Sequence, residues 1–297
     1  MTKSTPPLDE LPLDELRQRI DGIDDAIHDL LLQRADVVKQ IGAVKGAGQV
    51  ALRPAREAAI LRRLAANHRG ELPVTVILRM WRELISGLTQ MQGRFGVVVY
   101  APDEPRRGFW DVARDHFGSF APMAAAKTPV AVVRALSEGT ASVGVVPFPF
   151  EDDKDPWWRF INGDDPKMPR VVARLPFFGR GNGRGDDRDA LVIALVPHEP
   201  TAADVTERQL DRSLVRIELG EDVSRARLKE TLDAAGLPVI NFSSWLSRPG
   251  SAPVHLVEVA GFVGPGDRRL GTCAERLAPV PVRLNTLGGY AVPLALR

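Results

Sequence analysis

One long amphipathic repeat near the N-terminus limits what this chain can fold into. Between Leu13 and Val44 the apolar residues recur at alternating steps of three and four. A helix of this span would be about 50 Å long, and a seam of such length is typical of a helix that packs against a partner helix. The sequence therefore predicts a long N-terminal helix and a second chain beside it, in a homodimer.

The seam carries one cation at a position where the repeat predicts an apolar side chain. That residue is Arg34, which lies between Leu30 and Val37. A guanidinium in a packed seam is costly unless an anion meets it. The anion is either a carboxylate of the protein, such as Asp29 or Asp36, or a carboxylate of a bound ligand.

Composition excludes several classes of function. The 297 residues have a net charge of +1 and are 44% hydrophobic, which argues against electrostatic capture of nucleic acid or of an anionic membrane. The single cysteine, Cys273, allows no internal disulfide and no cysteine-based zinc site, and the histidines lack ligand spacing. We therefore expect no metal and no cofactor. Without a membrane-length apolar run or a secretory signal, we expect a cytoplasmic protein.

The texture of the sequence changes twice, which predicts three domains. Residues 8–93 carry only helical patterns, and residues 94–198 alternate apolar strands with a helix. Residues 212–297 follow the order strand, helix, strand, strand, helix, strand, which is that of a ferredoxin-like α+β sandwich. A glycine-rich stretch at 179–185 lacks the ending of a phosphate-binding loop, so we expect an ordinary loop there.

Two shorter helices follow the first within the helical part. The second is predicted from Ala55 to about Asn67, after a proline suited to a first turn. The third follows Pro73 and ends at Gly93. Its apolar face is predicted to consist of Val74, Ile77, Trp81, Leu84, Leu88 and Met91.

Polar side chains on these helices indicate a site for a small anion. Lys45 follows Arg34 by about three helical turns, so both lie on one face. Arg17 is about 25 Å from Arg34 on a straight helix and would reach the same ligand only from a partner chain. The second helix opens with Arg56 and Glu57 side by side. Gln92 follows Ile85 and Leu88 at helical spacing, so its amide joins the apolar face of the third helix.

Each of these residues also has an ordinary structural explanation. Arg17 and Arg56 are typical surface cations, and Glu57 suits the first turn of a helix. Lys45 suits a last turn for the same electrostatic reason, and Gln92 would lie at a fraying helix end.

In combination, the helical stretches resemble the all-helical chorismate mutases of the intertwined-dimer class. The resemblance rests on LRQRIDGIDDAIHDLLLQR at 16–34, GAVK at 42–45, RPARE at 53–57 and TQMQ at 89–92. It implies that chorismate is the substrate and prephenate the product. Since this rearrangement is pericyclic, it needs no nucleophile or general base, only fixed cations and amide donors around a compact dianion.

The resemblance also implies a role for each polar residue. Arg17 would come from the neighbouring protomer, and Arg34 and Arg56 would hold the substrate carboxylates. Lys45 and Gln92 would hydrogen-bond the ether oxygen, and Glu57 would contact the ring hydroxyl. Two substrate-site positions differ from the family: an aspartate is often found where this chain has Arg53, and a serine, four residues before the glutamine, where it has Leu88.

The remaining segments resemble a shortened prephenate dehydratase followed by an ACT domain. A strand at 141–147 leads into Phe148, and Arg188-Asp189-Ala190 stands where the family has its catalytic TRF, so we expect no dehydratase activity. The stretch from Asn241 to Pro249 is similar to the signature that lines a phenylalanine site in ACT domains. The effector residues implied are Leu228, Asn241, Ser247, Arg248 and Pro249. The alternative is an inert or dimer-stabilising module.

Two other functions stay open at this point. Isochorismate–pyruvate lyase could use the same cations, because it also acts on a similar dianion by a pericyclic step. A non-catalytic, amino-acid-responsive regulatory dimer would be stabilised by phenylalanine or tyrosine and would leave chorismate unchanged.

Overall fold

The described part of the chain forms two compact units, the first ending at residue 49 and the second beginning at residue 50. They are seen in a computed structural model. The described residues are 12–45, 51–102, 108–151, 153, 155–161, 163, 165, 167–179, 188–201, 210–220, 223–246, 251 and 253–296.

The first unit contains the long helix that the repeat predicts. Helix α1 spans Leu13–Lys45, and two acidic residues in its first turn complement the positive end of the helix dipole. The apolar seam is largely in contact with solvent: Ile20 and Ile23 are each 57% exposed and Leu30 is 63% exposed. The seam of α1 is therefore an apolar surface of the single chain.

Two helices open the second unit, within the predicted bounds. Helix α2 spans Pro54–Asn67, with its proline at the start, and α3 spans Val74–Gln90. Leu61 of α2 and Leu78 of α3 are fully buried in one cluster together with Phe177. This helical pair is thus packed inside its own chain.

The buried face of α3 differs from the predicted one. The prediction placed Met91 and Trp81 on this face, whereas Met91 is 64% exposed and Trp81 only half-buried. The buried residues of α3 are Leu78, Arg82, Ile85, Ser86, Leu88 and Thr89. Three of these are polar and find hydrogen-bond partners, so hydrophobic spacing alone could not reveal the face that they occupy.

An α/β part follows α3. Strand β1 pairs in parallel with β2 and with β3, and β5 lies antiparallel to both β3 and β4. Two helices pack into different hydrophobic clusters, one around Phe117 and the other around Leu136. The elements are β1 Val97–Tyr100, α4 Phe109–Phe117, β2 Met123–Ala126, α5 Pro129–Ser137, β3 Val143–Pro147, β4 Arg170–Leu175 and β5 Ala190–Ala194.

Apolar runs at 95–100, 143–146 and 191–196 predict strands and the run at 131–136 predicts a helix; these are confirmed as β1, β3, β5 and α5. Helix α4 and strands β2 and β4 were not predicted. Strand β2 reads Met-Ala-Ala-Ala, and alanine favours helices in isolation. Its strand conformation comes from pairing with β1, which no local pattern in the sequence encodes.

The C-terminal part has the predicted order of elements. Strand β6 pairs antiparallel with β8 and β9, and β7 pairs antiparallel with β8, which gives the strand order of a ferredoxin-like sheet. Leu232 and Cys273, from its two helices, are fully buried in one core. The elements are β6 Asp211–Leu219, α6 Arg225–Ala234, β7 Val239–Trp245, β8 Val254–Ala260, α7 Arg268–Leu277 and β9 Val282–Ala291.

The α/β part and the C-terminal part share one sheet. Within the described residues the strand order is β2-β1-β3-β5-β4-β9-β6-β8-β7, with β4 and β9 joined in parallel at Val171 and Gly288. Gly288 has φ +104°, and a side chain there would collide with the backbone of Val171. Helix α2 packs over both β4 and β9. The predicted boundary between domains at 198 and 212 stays a prediction.

Candidate functional site

The cations predicted on the first helix all belong to the first unit. Arg17 lies on the exposed surface, where its Nη1 is 3.3 Å from Asp14 Oδ1. Arg34 lies in the C-terminal half of α1, and Lys45 is its last residue. The side chain of Lys45 lies outside the described residues.

The predicted carboxylate at the start of α2 is buried in an ion pair. Arg56 is exposed, whereas the next residue, Glu57, is only 7% exposed. Nη1 of Arg82, on α3, donates a hydrogen bond to Glu57 Oε2 at 2.8 Å, and the Arg82 side chain is 3% exposed. A buried charge is tolerated only when a charge of opposite sign meets it, and each of these two residues supplies that for the other.

Arg82 is fixed in turn by the end of α4. Its Nε donates to the carbonyl of His116 at 2.7 Å, and Ser86 Oγ donates to the carbonyl of Phe117. These carbonyls belong to the last turn of α4, where a helix has no internal donors left, and a cation suits the negative end of the helix dipole. Arg82 therefore links α2, α3 and α4.

The imidazole of His116 lies beside this ion pair. Burial, and secondarily the positive charge of Arg82, hold the pKa of His116 well below its ordinary value. The ring is therefore neutral at neutral pH and packs edge-on against Phe117, with the ring centroids 4.7 Å apart. A neutral imidazole adds no second cation to compete with Arg82 for Glu57.

The sequence contained a sign of Arg82 that was missed. Arg82 lies four residues after Leu78 and three before Ile85, both of which are buried. A cation between apolar residues at helical spacing is the same irregularity that marked Arg34. Because the predicted apolar face of α3 differed from its buried face, Arg82 was not recognised as a cation among buried residues.

The amide predicted at the end of the third helix has a neighbouring alternative. Gln92 lies beyond the end of α3, and its Nε2 donates to the carbonyl of Leu88 at 3.1 Å. Two residues earlier, Gln90 Nε2 is 3.3 Å from Ser86 Oγ. The pair of a serine and a glutamine four residues apart is thus present at Ser86 and Gln90. Leu88 itself is a core residue, 6% exposed.

The second unit leaves little space beside the ion pair. A cavity there has a volume of about 10 Å³ and is bordered by Glu57, Arg82, His116 and Pro54. That is room for about one water molecule. This cavity is by itself too small for a substrate.

A second polar network occupies the dehydratase-like positions. Arg174 Nη2 donates to Asp189 at 2.7 Å, and the guanidinium lies 4.5 Å from the centre of the Phe148 ring. Arg174 also reaches the hydroxyl of Tyr290 at 3.3 Å, and that hydroxyl donates to Glu258 at 2.5 Å. Burial, and then the charge of Glu258, raise the pKa of Tyr290. The network joins β4, β8 and β9 with the ends of β3 and β5.

The predicted effector residues are only partly visible. Leu228 is fully buried in α6, and Asn241 is exposed on β7, where its Oδ1 accepts from the amide of Phe242 at 2.9 Å. Ser247, Arg248 and Pro249 lie outside the described residues, so the effector set as a whole stays a prediction.

The described ranges contain neither a cluster of metal-ligating side chains nor a helix that could span a membrane. No three His, Cys, Asp or Glu residues among them are placed to hold a metal ion. In the same part of the chain, every helix is too short or too polar to cross a bilayer.

Comparison with known proteins gives a match for the helical stretches. Residues 16–93 match the family model of chorismate mutase type II. A bifunctional chorismate mutase/prephenate dehydratase of Pseudomonas aeruginosa is 29% identical over 150 residues, which cover 47% of this chain and 39% of the relative. One from Neisseria gonorrhoeae is 37% identical over 95 residues, covering 32% and 26%. The chain thus spans well under half the length of these relatives.

Solved structures resemble the chain only distantly. Prephenate dehydratase from Streptococcus mutans gives a TM-score of 0.47 at 13% identity, covering 68% of this chain and all of that one. The Arthrobacter aurescens enzyme in complex with L-Phe gives 0.46 at 11% identity, covering 68% and 93%. These scores are too low to support functional inference. The family-model match covers residues 16–93, and over that stretch the chain is similar to chorismate mutase type II.

Proposed function

We propose that this protein is a chorismate mutase, which rearranges chorismate to prephenate in aromatic amino-acid biosynthesis. The observation that carries the proposal is the family match over residues 16–93, a stretch that contains every polar residue predicted for the reaction. Arg34 is the central residue, because it is the cation in an otherwise apolar seam.

The proposed site binds a dianion with cations from more than one helix. Arg34 and Arg56 hold the two carboxylates, and Arg17 of a second copy closes the site. A guanidinium offers two parallel N–H donors, which match a carboxylate in geometry as well as charge. Fixed cations hold chorismate in its compact conformer, so much of the entropic barrier is met on binding.

Catalysis in this proposal comes from donors aimed at the ether oxygen, where negative charge builds as the bond breaks. Lys45 is one donor, and an amide at the end of α3 is the other. Preorganised donors of this kind act strongly in a site that excludes water. The amide is Gln92 in the predicted register, and Gln90 is the alternative supported by its contact with Ser86 at 3.3 Å.

Glu57 contacts the ring hydroxyl of the substrate. Its Oε2 is held by Arg82 at 2.8 Å. The other carboxylate oxygen, Oε1, has no hydrogen bond within the described residues, so a substrate hydroxyl can donate to it.

The working form is proposed to be a homodimer. Support comes from the exposed apolar seam of α1, in which Leu30 is 63% exposed. Large contiguous apolar surfaces are rare on monomers and mark association sites. A second copy of α1 also brings Arg17 to the site of its partner.

The α/β part is proposed to lack dehydratase activity. Asp189, at a position of the family's TRF, is engaged by Arg174 at 2.7 Å, and Phe148 is covered by the same guanidinium. Because these side chains are already engaged with one another, prephenate is expected to be released unchanged.

The test is a direct assay with purified protein and chorismate. The loss of chorismate absorbance is followed, and the product is identified by NMR; prephenate is expected, with no phenylpyruvate. Arg34→Ala should lower kcat/KM at least about 100-fold, since a preorganised charge contact is lost. Arg19→Ala, which alters an exposed arginine on the same helix, is the control and should keep its activity.

Three results would contradict the proposal. Unchanged chorismate with the wild-type protein would reject the activity, and equal turnover by Arg34→Ala would reject the site. Release of pyruvate from isochorismate, with chorismate left intact, would assign the lyase reaction instead.

The two amides are separated by a second pair of variants. Gln90→Ala and Gln92→Ala are each assayed with chorismate, and the variant that removes the ether-oxygen donor should lose about 100-fold in kcat. Gln90 has the support of lying within α3, four residues after Ser86 and in contact with it, whereas Gln92 lies beyond the end of the helix. A large loss for Gln92→Ala alone would restore the predicted register.

A further inference from the structure

We infer that Arg82 is a positioning residue for chorismate rearrangement, through which the α/β part of the chain holds Glu57 in place. The inference rests on the proposed function, because it concerns how a residue of that site is oriented. Arg82 does not itself touch substrate in this account; it acts through Glu57.

The Glu57–Arg82 pair is shielded from water. The Glu57 side chain is 9% exposed and that of Arg82 is 3% exposed, and the two are joined by a hydrogen bond of 2.8 Å. A charged hydrogen bond in such surroundings is short and directional. The carboxylate therefore takes its orientation from the guanidinium.

The orientation of the Arg82 guanidinium is set by two contacts. Its Nε donates to the His116 carbonyl at 2.7 Å, so the planar group is held at two points, one on α2 and one on α4. Because guanidinium donors are fixed in one plane, fixing Nε also sets the direction of Nη1. The orientation of Glu57 thus depends on the end of α4.

Two further contacts keep the end of α4 against α3. Ser86 donates to the carbonyl of Phe117, and Glu83 Oε1 accepts from the amide of Ser119 at 2.8 Å. Both residues of α3 lie within one helical turn of Arg82. The joint therefore involves three backbone groups around the end of α4, those of His116, Phe117 and Ser119, and the Arg82 side chain links them to Glu57.

The α/β part takes part in orienting Glu57. A helical chorismate mutase domain needs no partner domain for a pericyclic step, yet here the carboxylate of its second helix is oriented from outside residues 16–93. The α/β part then contributes to rearrangement as a scaffold, whether or not it has chemistry of its own.

The experiment is a double-mutant cycle on the full chain. Wild type, Arg82→Met, Glu57→Gln and the double variant are assayed for kcat and KM with chorismate. Arg82→Met should lower kcat/KM about tenfold in the wild-type background, within the range of coupling between residues in contact. In the Glu57→Gln background, the same change should cost less than about twofold.

Two further variants separate positioning from folding. Arg79→Met removes a different contact between α3 and α4, an ion pair with Asp115 at 3.9 Å, and should leave kcat/KM within about twofold of wild type. Arg82→Lys keeps a cation for Glu57 but cannot hold it in a planar fork, so its activity should lie between those of wild type and Arg82→Met. Far-UV circular dichroism and thermal melting check the fold of each variant.

The outcomes distinguish this inference from the proposed function. An inactive wild-type protein rejects both. If the wild type is active but Arg82→Met lowers kcat/KM by the same factor in the wild-type and Glu57→Gln backgrounds, only the positioning role is rejected. The effect of Arg82 would then not depend on Glu57. If Arg82→Met does not fold, Arg82→Lys takes its place in the cycle and is judged by the same criterion.

Discussion

The three N-terminal helices belong to one sequence family match, but their apolar faces have different surroundings. On α1 the seam residues Ile23 and Leu30 are 57% and 63% exposed. On α2 and α3, Leu61 and Leu78 are fully buried, in a cluster that includes Phe177 from beyond the match. Helices of similar periodicity therefore differ in burial: the apolar faces of α2 and α3 are covered by the chain itself, and that of α1 is not.

The difference shows where each helix obtains its stability. Helices in water depend on packing of an apolar face more than on intrinsic propensity. The α2–α3 pair has that packing within the chain, whereas the seam of α1 still has apolar surface to bury. On this view, association and folding are separable properties, and each can be disturbed without the other.

The largest effect is expected on α1. Leu30→Asp puts a charge into the proposed dimer seam, where burying it unpaired would cost several kcal/mol, so the dimer should dissociate at micromolar concentration. Light scattering after size-exclusion chromatography measures the mass. Leu32→Asp is the matched control: it is 53% exposed but lies on the other side of the helix, and it should leave the dimer intact. A Leu30→Asp dimer would refute the seam as the interface.

A smaller effect is expected where α3 meets α4. Gly118 has φ +83°, and a Cβ there would collide with the carboxylate of Glu83. Gly118→Ala should lower the free energy of unfolding by about 1–3 kcal/mol, because strained backbone adds to the collision. Gly87→Ala on α3 has open space around its Cβ and should stabilise the protein by about 0.5–1 kcal/mol. Urea unfolding monitors both; equal stabilities would mean that the α3–α4 joint is loose.

The features that could be predicted from the sequence are those that local patterns encode. The bounds of α1 and α2 follow from apolar spacing, prolines and glycines, and the order of C-terminal elements follows from alternation of strands and helices. Strand β2 was missed because its alanines favour another conformation, and only the neighbouring strand decides the outcome.

The site was less predictable than the fold. Residue types and spacing selected Glu57, but its partner Arg82 is 25 positions away along the chain, on a helix whose buried face is partly polar. Its second contact, the carbonyl of His116, is a backbone atom and leaves no trace in side-chain chemistry. Gln92 stays the predicted amide, and Gln90 is a second candidate only because of its contact with Ser86, which residue spacing did not reveal.

The place of α2 over the sheet has a mechanical consequence. This helix spans the line along which β4 and β9 meet, and Arg62, two turns after its start, donates to the carbonyl of Leu210 at 3.0 Å and to that of Val292 at 2.7 Å. Helix α2 thus connects the two halves of one sheet. A relative movement of β4 and β9 would therefore displace the helix that carries Glu57.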